Sequence, residues 1–348
     1  MNMKRINIIM VMLLVVANQL LAQIVQENEA AVVYYMPKTE LVVTLHYDCV
    51  TQQPGMFYQY AQRYLGATDI ITESQTTYHL THLALSTQTV ADTQRAYKVT
   101  AEKGYKLQLL SLNQDGILLG YNMSKPVSAS SPAPHSITTA HPTSYTTPVL
   151  PLLEEQFMAS SIAKMAEGAA KQIYRIRETR LNILAGDVEH VPADGQAMQL
   201  VLDELAKQEQ ALVELFIGTT QVTQHIHQVT YTPQESVEQY VVCRFSKYAG
   251  VVSSEDLSGE PIYLNLVANR QTQDVASLEA KGLPSQICYN LPGSADINLT
   301  YKTQTIVKQL PIAQLGVSVP LPQDIFVGKT LPTIHFNFDT GNILSIQQ

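Results

Sequence analysis

The sequence predicts an α+β protein, built from mainly antiparallel, sandwich-like β domains with a central antiparallel helical hairpin. Three observations predict this fold class. Short β-branched and aromatic runs between turn residues occupy 23–123 and 219–348. Two runs with apolar residues at helical spacing occupy 150–218. The strands are not separated by regular helices, which excludes a doubly wound parallel sheet.

The first 22 residues are typical of a secretory signal peptide. Lys4 and Arg5 precede an apolar run, and the small residue Ala22 follows that run. The run is shorter than the roughly 20 residues that span a bilayer, so a cleaved leader is favoured over a membrane anchor. We therefore expect cleavage between Ala22 and Gln23. We also expect export to the periplasm or cell surface, with no transmembrane span in the mature chain.

The N-terminal β-rich domain is assigned to residues 23–123. Its first strand-like runs, 32–35 and 41–45, are separated by the sequence Met-Pro-Lys-Thr. A short helix is predicted that opens at Pro54 and Gly55 and closes at Gly66, because apolar residues recur between them at helical spacing. Asp115 and Gly116 predict a tight turn between two strands, because glycine readily adopts a positive φ.

Residues 124–149 are rich in Pro, Ser and Thr and lack apolar periodicity, which predicts a linker or a long exposed loop. In 150–218, apolar residues step by three and four along two helices. The first helix is predicted to end at Gly186. Asp194 is predicted to cap the second helix, and Gly218 to end it. The short connection between the helices favours an antiparallel hairpin.

The C-terminal β-rich domain is assigned to residues 219–348. Short strand-like runs recur there between Gly, Pro, Asn and Asp, a spacing typical of a β-sandwich. A turn at 339–342 is predicted to join the last two strands. The predicted strands are 237–245, 261–267, 295–301, 316–319 and 333–338.

Composition excludes some classes of function. The formal net charge is −8 and there is no block of Lys and Arg, so nucleic acid is not an expected partner. Three cysteines are too few for a disulfide-stapled scaffold, so apolar burial must hold the fold. Sequence leaves open whether any two of Cys49, Cys243 and Cys288 pair; small buried thiols are an equal alternative.

No common catalytic or cofactor motif is present, so we assign no catalytic, cofactor-binding or metal-binding residue and expect no cofactor. His225 and His227 are the best metal candidates, because residues two apart on a strand face the same side. No third ligand is indicated, and two histidines on the solvent face of an edge strand is the simpler interpretation. His79 and His82 fit a strand-borne metal site less well.

Other polar and aromatic groups have two interpretations each. The arginines near the end of the first long helix form an anion site or, as we favour, a solvated helix end. The acidic pairs are interpreted either as the catalytic carboxylates of a glycosidase or as ordinary acidic residues at a helix N-terminus and in a turn. A tyrosine group is a stacking platform or part of a sheet core. These residues are Arg175, Arg177, Glu178 and Arg180; Glu154–Glu155 and Glu255–Asp256; and Tyr34, Tyr35, Tyr58, Tyr60 and Tyr64.

Several stretches, among them VVYYMPKTELVVTL, GMFYQYAQRYLG and IAQLGVSVPLP, resemble a family of uncharacterised exported proteins from Bacteroidetes-type Gram-negative bacteria, classed as a domain of unknown function. The likeness runs from Val32 to near the C-terminus. Its most specific part is AKMAEGAAKQIYRIRETR in the first long helix. The resemblance implies an envelope location and brings no catalytic residues.

We therefore expect a non-enzymatic binding or structural protein of the cell envelope or surface. Its partner would be an envelope protein or a glycan. The alternative is an envelope hydrolase that acts on a glycan or a peptide. A cleft with convergent carboxylates or a His–acid pair would favour the hydrolase, whereas a flat apolar patch or an exposed helix face would favour the binding protein.

Overall fold

The computed structural model describes residues 31–101, 106–123, 151–187, 194–271, 286–326 and 330–347. The fold is α+β and mainly antiparallel β, which confirms the predicted fold class. The predicted signal peptide, 1–22, and the predicted linker, 124–149, lie outside the described residues.

The described residues form four α-helices and twelve β-strands. The helices are α1 (Ala61–Leu65), α2 (Glu154–Phe157), α3 (Ile162–Ala185) and α4 (Gly195–Ile217). The strands are β1 (Ala31–Gln53), β2 (Gln75–Thr100), β3 (Leu110–Leu112), β4 (Leu118–Tyr121), β5 (Thr219–Tyr231), β6 (Val237–Ser246), β7 (Gly250–Val252), β8 (Glu260–Asn269), β9 (Cys288–Tyr301), β10 (Gln304–Pro320), β11 (Thr333–Phe336) and β12 (Ile343–Gln347).

The strands form three sheets, with orders β2-β1-β5, β10-β9-β8-β6-β7 and β12-β11-β4-β3. The first two sheets pack face to face as a sandwich. Leu41 and Val43 of β1 meet Leu264 of β8 and Ile297 of β9 in its core. The third sheet packs beside one end of the sandwich, around a second core that contains Tyr34. Alternating inward residues on each strand supply both cores.

The two β-rich segments exchange strands. β5 follows the helical hairpin but pairs with β1, and β11 pairs with β4. Residues 23–123 and 219–348 therefore contribute to two common sheets. The assigned boundaries at 123, 149 and 218 stay a prediction.

Strand β1 differs from the sequence expectation. It runs unbroken from Ala31 to Gln53, whereas the sequence predicts a break at 36–39. A register shift lies between Tyr35 and Met36, and β5 pairs with β1 only from Leu41 onward. Pro37, which has no N–H to donate, is accommodated where β1 lacks β5 as a neighbour.

The helical hairpin is confirmed. Gly186 adopts φ 78° where α3 ends, and the Asp194 side chain accepts a hydrogen bond from the Gln196 N–H where α4 begins. The base of the hairpin packs around Phe57, beside α1, in a third core. The predicted turn is also present, since Gly116 adopts φ 80°.

Candidate binding cleft

A cleft of about 590 Å³ opens at one end of the sandwich, which we call the open end. The start of β2, the ends of β6 and β9, the start of β8 and the β6–β7, β7–β8 and β9–β10 turns line the cleft. Its lining residues include Tyr78, His79, Phe245, Lys247, Tyr248, Ser258, Glu260, Tyr301 and Lys302. They come from four distant parts of the chain, so only the folded sandwich assembles them.

Two turns each place a lysine beside a tyrosine at the cleft. The β6–β7 turn gives Lys247 and Tyr248, and the β9–β10 turn gives Lys302 after Tyr301. Each lysine Nζ lies 5.5 Å from the neighbouring ring centroid, within cation–π range. Lys302 adopts φ 50°, as a two-residue hairpin turn requires.

Aromatic side chains form the inner wall of the open end. Tyr47 lies 6.1 Å from Tyr78 and 5.5 Å from Phe245, and Phe245 lies 6.3 Å from Tyr301, all between ring centroids. The Tyr78 N–H donates to the Lys247 carbonyl at 2.7 Å, which ties the two sheets together at this point. Burial raises the pKa of Tyr47, Tyr78 and Tyr301, so these phenols stay neutral at physiological pH.

Two polar residues of the cleft, His79 and Ser258, already form hydrogen bonds. His79 Nε2 lies 3.2 Å from the Thr77 hydroxyl. The backbone N–H of Ser258 donates to Asp256 at 2.9 Å, and hydrogen bonds from Ser258 lower the pKa of Asp256. His79 therefore bonds to Thr77 and Ser258 bonds to Asp256, and the two residues are not a hydrogen-bonded pair. The cleft is lined by two lysines, Lys247 and Lys302, and one acidic residue, Glu260, so its charged side chains carry a net positive charge.

The opposite end of the sandwich, which we call the closed end, is filled by a polar junction between sheets. Asn290 is fully buried on β9. Its side-chain amide donates to the carbonyls of Ala313 at 2.8 Å and Thr340 at 2.7 Å, and its N–H donates to Gly341. Arg95 of β2 donates to the Asn290 side-chain oxygen at 3.4 Å. One asparagine therefore joins β9, β10 and the turn before β12.

Further side chains complete the closed end. Arg95 also donates to Asp92 at 2.7 Å and to the Pro37 carbonyl at 2.9 Å. Gln314 donates to the carbonyl of Thr39 and accepts from its N–H. Because these groups bond one another, the closed end is a structural contact.

A family model described as a domain of unknown function, DUF4831, matches residues 30–344. The chain belongs to this family. No curated protein matches it, and no solved structure matches it. Among the described helices, none is both long and apolar enough to cross a membrane.

The predicted histidine sites of this DUF4831 chain are not assembled. β5 is an edge strand, but His225 and His227 are half-buried on the side facing the sandwich core, and Ile226 takes the solvent face. The solvent-face interpretation was therefore wrong; His225 stacks on Tyr47 at 5.4 Å. Of the other pair, only His79 lines the cleft. No group of three potential metal ligands occurs within the ranges that the structure describes.

The predicted arginine cluster acts across the helical hairpin. Arg177 and Arg180 of α3 each donate to the Glu209 carboxylate of α4 at 2.7 Å. Burial raises the pKa of Glu209, but hydrogen bonds from both arginines outweigh burial and lower it. Sequence reasoning missed this partner, because Glu209 is remote in sequence and no local spacing points to it. The acidic pairs lie apart, at the start of α2 and in the β7–β8 turn.

The predicted tyrosine group is divided between two cores. Tyr34 is buried in the second core, where its hydroxyl accepts from the Cys288 N–H at 2.6 Å. Tyr60 and Tyr64 pack against the base of the helical hairpin. All three cysteines are unpaired. Burial raises the pKa of Cys243 to about 11 and that of Cys288 to about 12, so both stay thiols.

Proposed function

We propose that this protein is a non-enzymatic binding protein of the bacterial envelope, exported after cleavage between Ala22 and Gln23. Its cleft would hold an extended, anionic segment of an envelope glycan or protein. The observation that carries the proposal is the pair of Lys–Tyr turns that bracket the open end. N-terminal sequencing of the mature protein from its native host should begin at Gln23; a retained Met1 would contradict export by this route.

The cleft offers two kinds of contact to such a ligand. The ammonium groups of Lys247 and Lys302 attract negative charge, and the exposed Tyr248 offers a flat ring face and a hydroxyl group; Tyr301 lines the cleft but is mostly buried. Tyrosine is enriched at binding surfaces because it combines apolar area with a polar tip and few rotatable bonds. Tyr248 is 66% exposed, so it needs no rearrangement to meet a ligand.

The proposal is tested by titrating the mature protein with two probes, oligogalacturonate for acidic glycans and a Glu-Ala repeat peptide for acidic polypeptides. Lys302→Glu should weaken binding of the effective probe about tenfold, since it replaces attraction by repulsion at the cleft. Lys207→Glu is the matched control, because Lys207 lies exposed on α4. Equal weakening by both variants, or no binding of either probe, would contradict the proposal.

One observation favours the hydrolase alternative: His79 and Glu260 both line the cleft. Such a pair is the kind of acid–base arrangement that hydrolysis needs. Against it, the hydrogen-bond partner of His79 is Thr77 rather than an acid. Cleavage of either probe, abolished by both His79→Ala and Glu260→Gln, would replace the binding proposal with the hydrolase.

A further inference from the structure

A β-bulge in β2 turns His82 away from the sandwich core. Thr81 is the extra residue of the bulge, since Leu80 and His82 on either side of it both pair with β1 and Thr81 does not. Leu80 and Leu83 both pack in the core, three residues apart rather than the even spacing of a regular strand. The bulge therefore switches the side-chain alternation, so that His82 lies on the outer face. The Thr81 hydroxyl donates to the His46 carbonyl at 2.9 Å, which fastens the bulge to β1.

His46 lies directly opposite His82 on this outer face. Its neighbours along β1, Leu45 and Tyr47, pack in the sandwich core, so the alternation of the strand points His46 outward. The two histidines pair in register, and their ring centroids lie 5.7 Å apart. Two imidazoles that share one metal ion have centroids about 5–6 Å apart, because each metal–nitrogen bond is about 2 Å long. The observed spacing therefore suits one shared ion.

Both imidazoles are free to take a ligand. Within the described ranges, no hydrogen bond and no ion pair engages either ring. By contrast, His79 bonds to a threonine hydroxyl and His225 stacks on a tyrosine ring. His82 is exposed and His46 is half-buried, so an ion can reach the pair from solvent.

The strands around the two histidines carry no cationic side chain. The paired stretches 41–53 of β1, 75–91 of β2 and 219–231 of β5 contain no lysine and no arginine. The one acidic residue in these stretches is Asp48, which follows His46 by two positions and so points to the same face. A metal ion that approaches the pair therefore meets no lysine or arginine of these strands and is attracted by one carboxylate.

We propose that His46 and His82 bind one Zn²⁺ ion on the outer face of the β2-β1-β5 sheet. Imidazole nitrogen is a preferred ligand of Zn²⁺, whereas Ca²⁺ and Mg²⁺ prefer oxygen. The two rings supply two of the four ligands of a tetrahedral ion, and water or a donor group of a bound partner supplies the others. Because the histidines belong to different strands, the ion ties β1 to β2. The site is separate from the cleft, since neither histidine is among the residues that line it in the described part of the chain.

Isothermal titration calorimetry of the mature chain with Zn²⁺ is the first test. One ion should bind, and His46→Ala and His82→Ala should each weaken the affinity at least about tenfold, since even the hydrogen-bond partners of metal ligands contribute that much. Asp48→Asn should weaken the affinity less than either. His335→Ala is the matched control, because His335 is half-buried on β11 of another sheet, and it should leave the affinity unchanged. No binding by the wild type, full affinity in either alanine variant of the pair, or equal weakening by His335→Ala would overturn the proposal.

Thermal unfolding separates this site from zinc held by histidines that are close in sequence. Zn²⁺ should raise the melting temperature of the wild type by a few degrees, because only the folded sheet brings the two strands together. The rise should nearly vanish in His82→Ala. His225→Ala should keep the full rise, since His225 faces the sandwich core. No rise in the wild type, or the same rise in His82→Ala, would contradict a site shared between β1 and β2.

Discussion

The two ends of the sandwich are built from the same strands but finished differently. β9 carries Asn290 at the closed end and Tyr301 at the open end, about 35 Å apart along an extended strand. At the closed end, buried amide and hydroxyl groups and the half-buried guanidinium of Arg95 bond one another and the backbone. At the open end, rings and ammonium groups border a cleft of about 590 Å³.

The difference separates stability from binding. The polar groups of the closed end already form hydrogen bonds with one another, so few donors or acceptors remain for a ligand. Removing one of these groups leaves its partner buried without a hydrogen bond. Lys247, Tyr248 and Lys302 lie at turns of the open end, where the fold does not depend on their side chains, whereas Tyr301 is buried in the sandwich core. Substitutions at the closed end should therefore change stability, and substitutions of these three turn residues should change binding.

The largest effect is expected from Asn290→Leu at the closed end. The substitution leaves the carbonyls of Ala313 and Thr340 buried without their donor. Each lost donor should cost about 1–3 kcal/mol of unfolding free energy. Urea denaturation measures the change. Asn269→Leu is the matched control, because Asn269 is exposed on the neighbouring strand β8, and it should cost clearly less; equal costs would show that the junction is not special.

An intermediate effect is expected in the helical hairpin, where a polar contact is partly open to water. Glu209→Gln weakens the two ion pairs to Arg177 and Arg180, whose side chains are 43% and 39% exposed. Exposed pairs contribute about 0.2–1 kcal/mol each, so the unfolding free energy should fall by about 1 kcal/mol at pH 7. If Glu209→Gln lowered the unfolding free energy as much as Asn290→Leu does, buried and partly exposed polar contacts would not differ in their contribution to stability.

The Glu209 contribution should depend on pH. The pKa of Glu209 is lowered in the folded protein, so its stabilisation is present above the ordinary value of 4.5 and is lost as pH falls through the folded value. The stability difference between the wild type and Glu209→Gln should therefore shrink below about pH 4.5. A difference that stays constant down to acid denaturation would contradict the assignment of the ion pairs.

The smallest effect on stability is expected from Tyr248→Ala at the open end. Its side chain is mostly exposed, so the unfolding free energy should change by less than about 0.5 kcal/mol. Thermal and urea unfolding, compared with wild type, measure the change. A loss of several kcal/mol would mean that the open end holds the sandwich together as the closed end does.

Local sequence signals predicted the turns and helices but not the sites. Gly116, Gly186 and Asp194 have positional preferences that act within a few residues, so they could be read directly. The sequence suggested an edge strand only around His225 and His227 and did not give the extent of β5, because its Thr, Gln and His residues lack the apolar alternation that marks a half-buried strand. Its burial comes from β1, a strand far away in the sequence.

Both ends of the sandwich depend on contacts between distant residues. Asn290 meets Arg95 and Thr340, and Tyr78 meets Lys247; nothing in the local sequence marks these partners. The two lysines of the cleft come from turns, where residue type is only weakly constrained by the fold. Sequence reasoning therefore predicted the fold class and the helical hairpin. The cleft could be recognised only from the packed sheets of the folded protein.

Site-specific photo-crosslinking in the native host tests the central claim most directly. A photoreactive amino acid in place of Tyr248 should form a covalent adduct with an envelope glycan or protein. The same group in place of Leu181, which is as exposed as Tyr248 but lies on α3 and does not line the cleft, should form no such adduct. Adducts at position 181 alone, or equal adducts at both positions, would contradict the open end as the binding site.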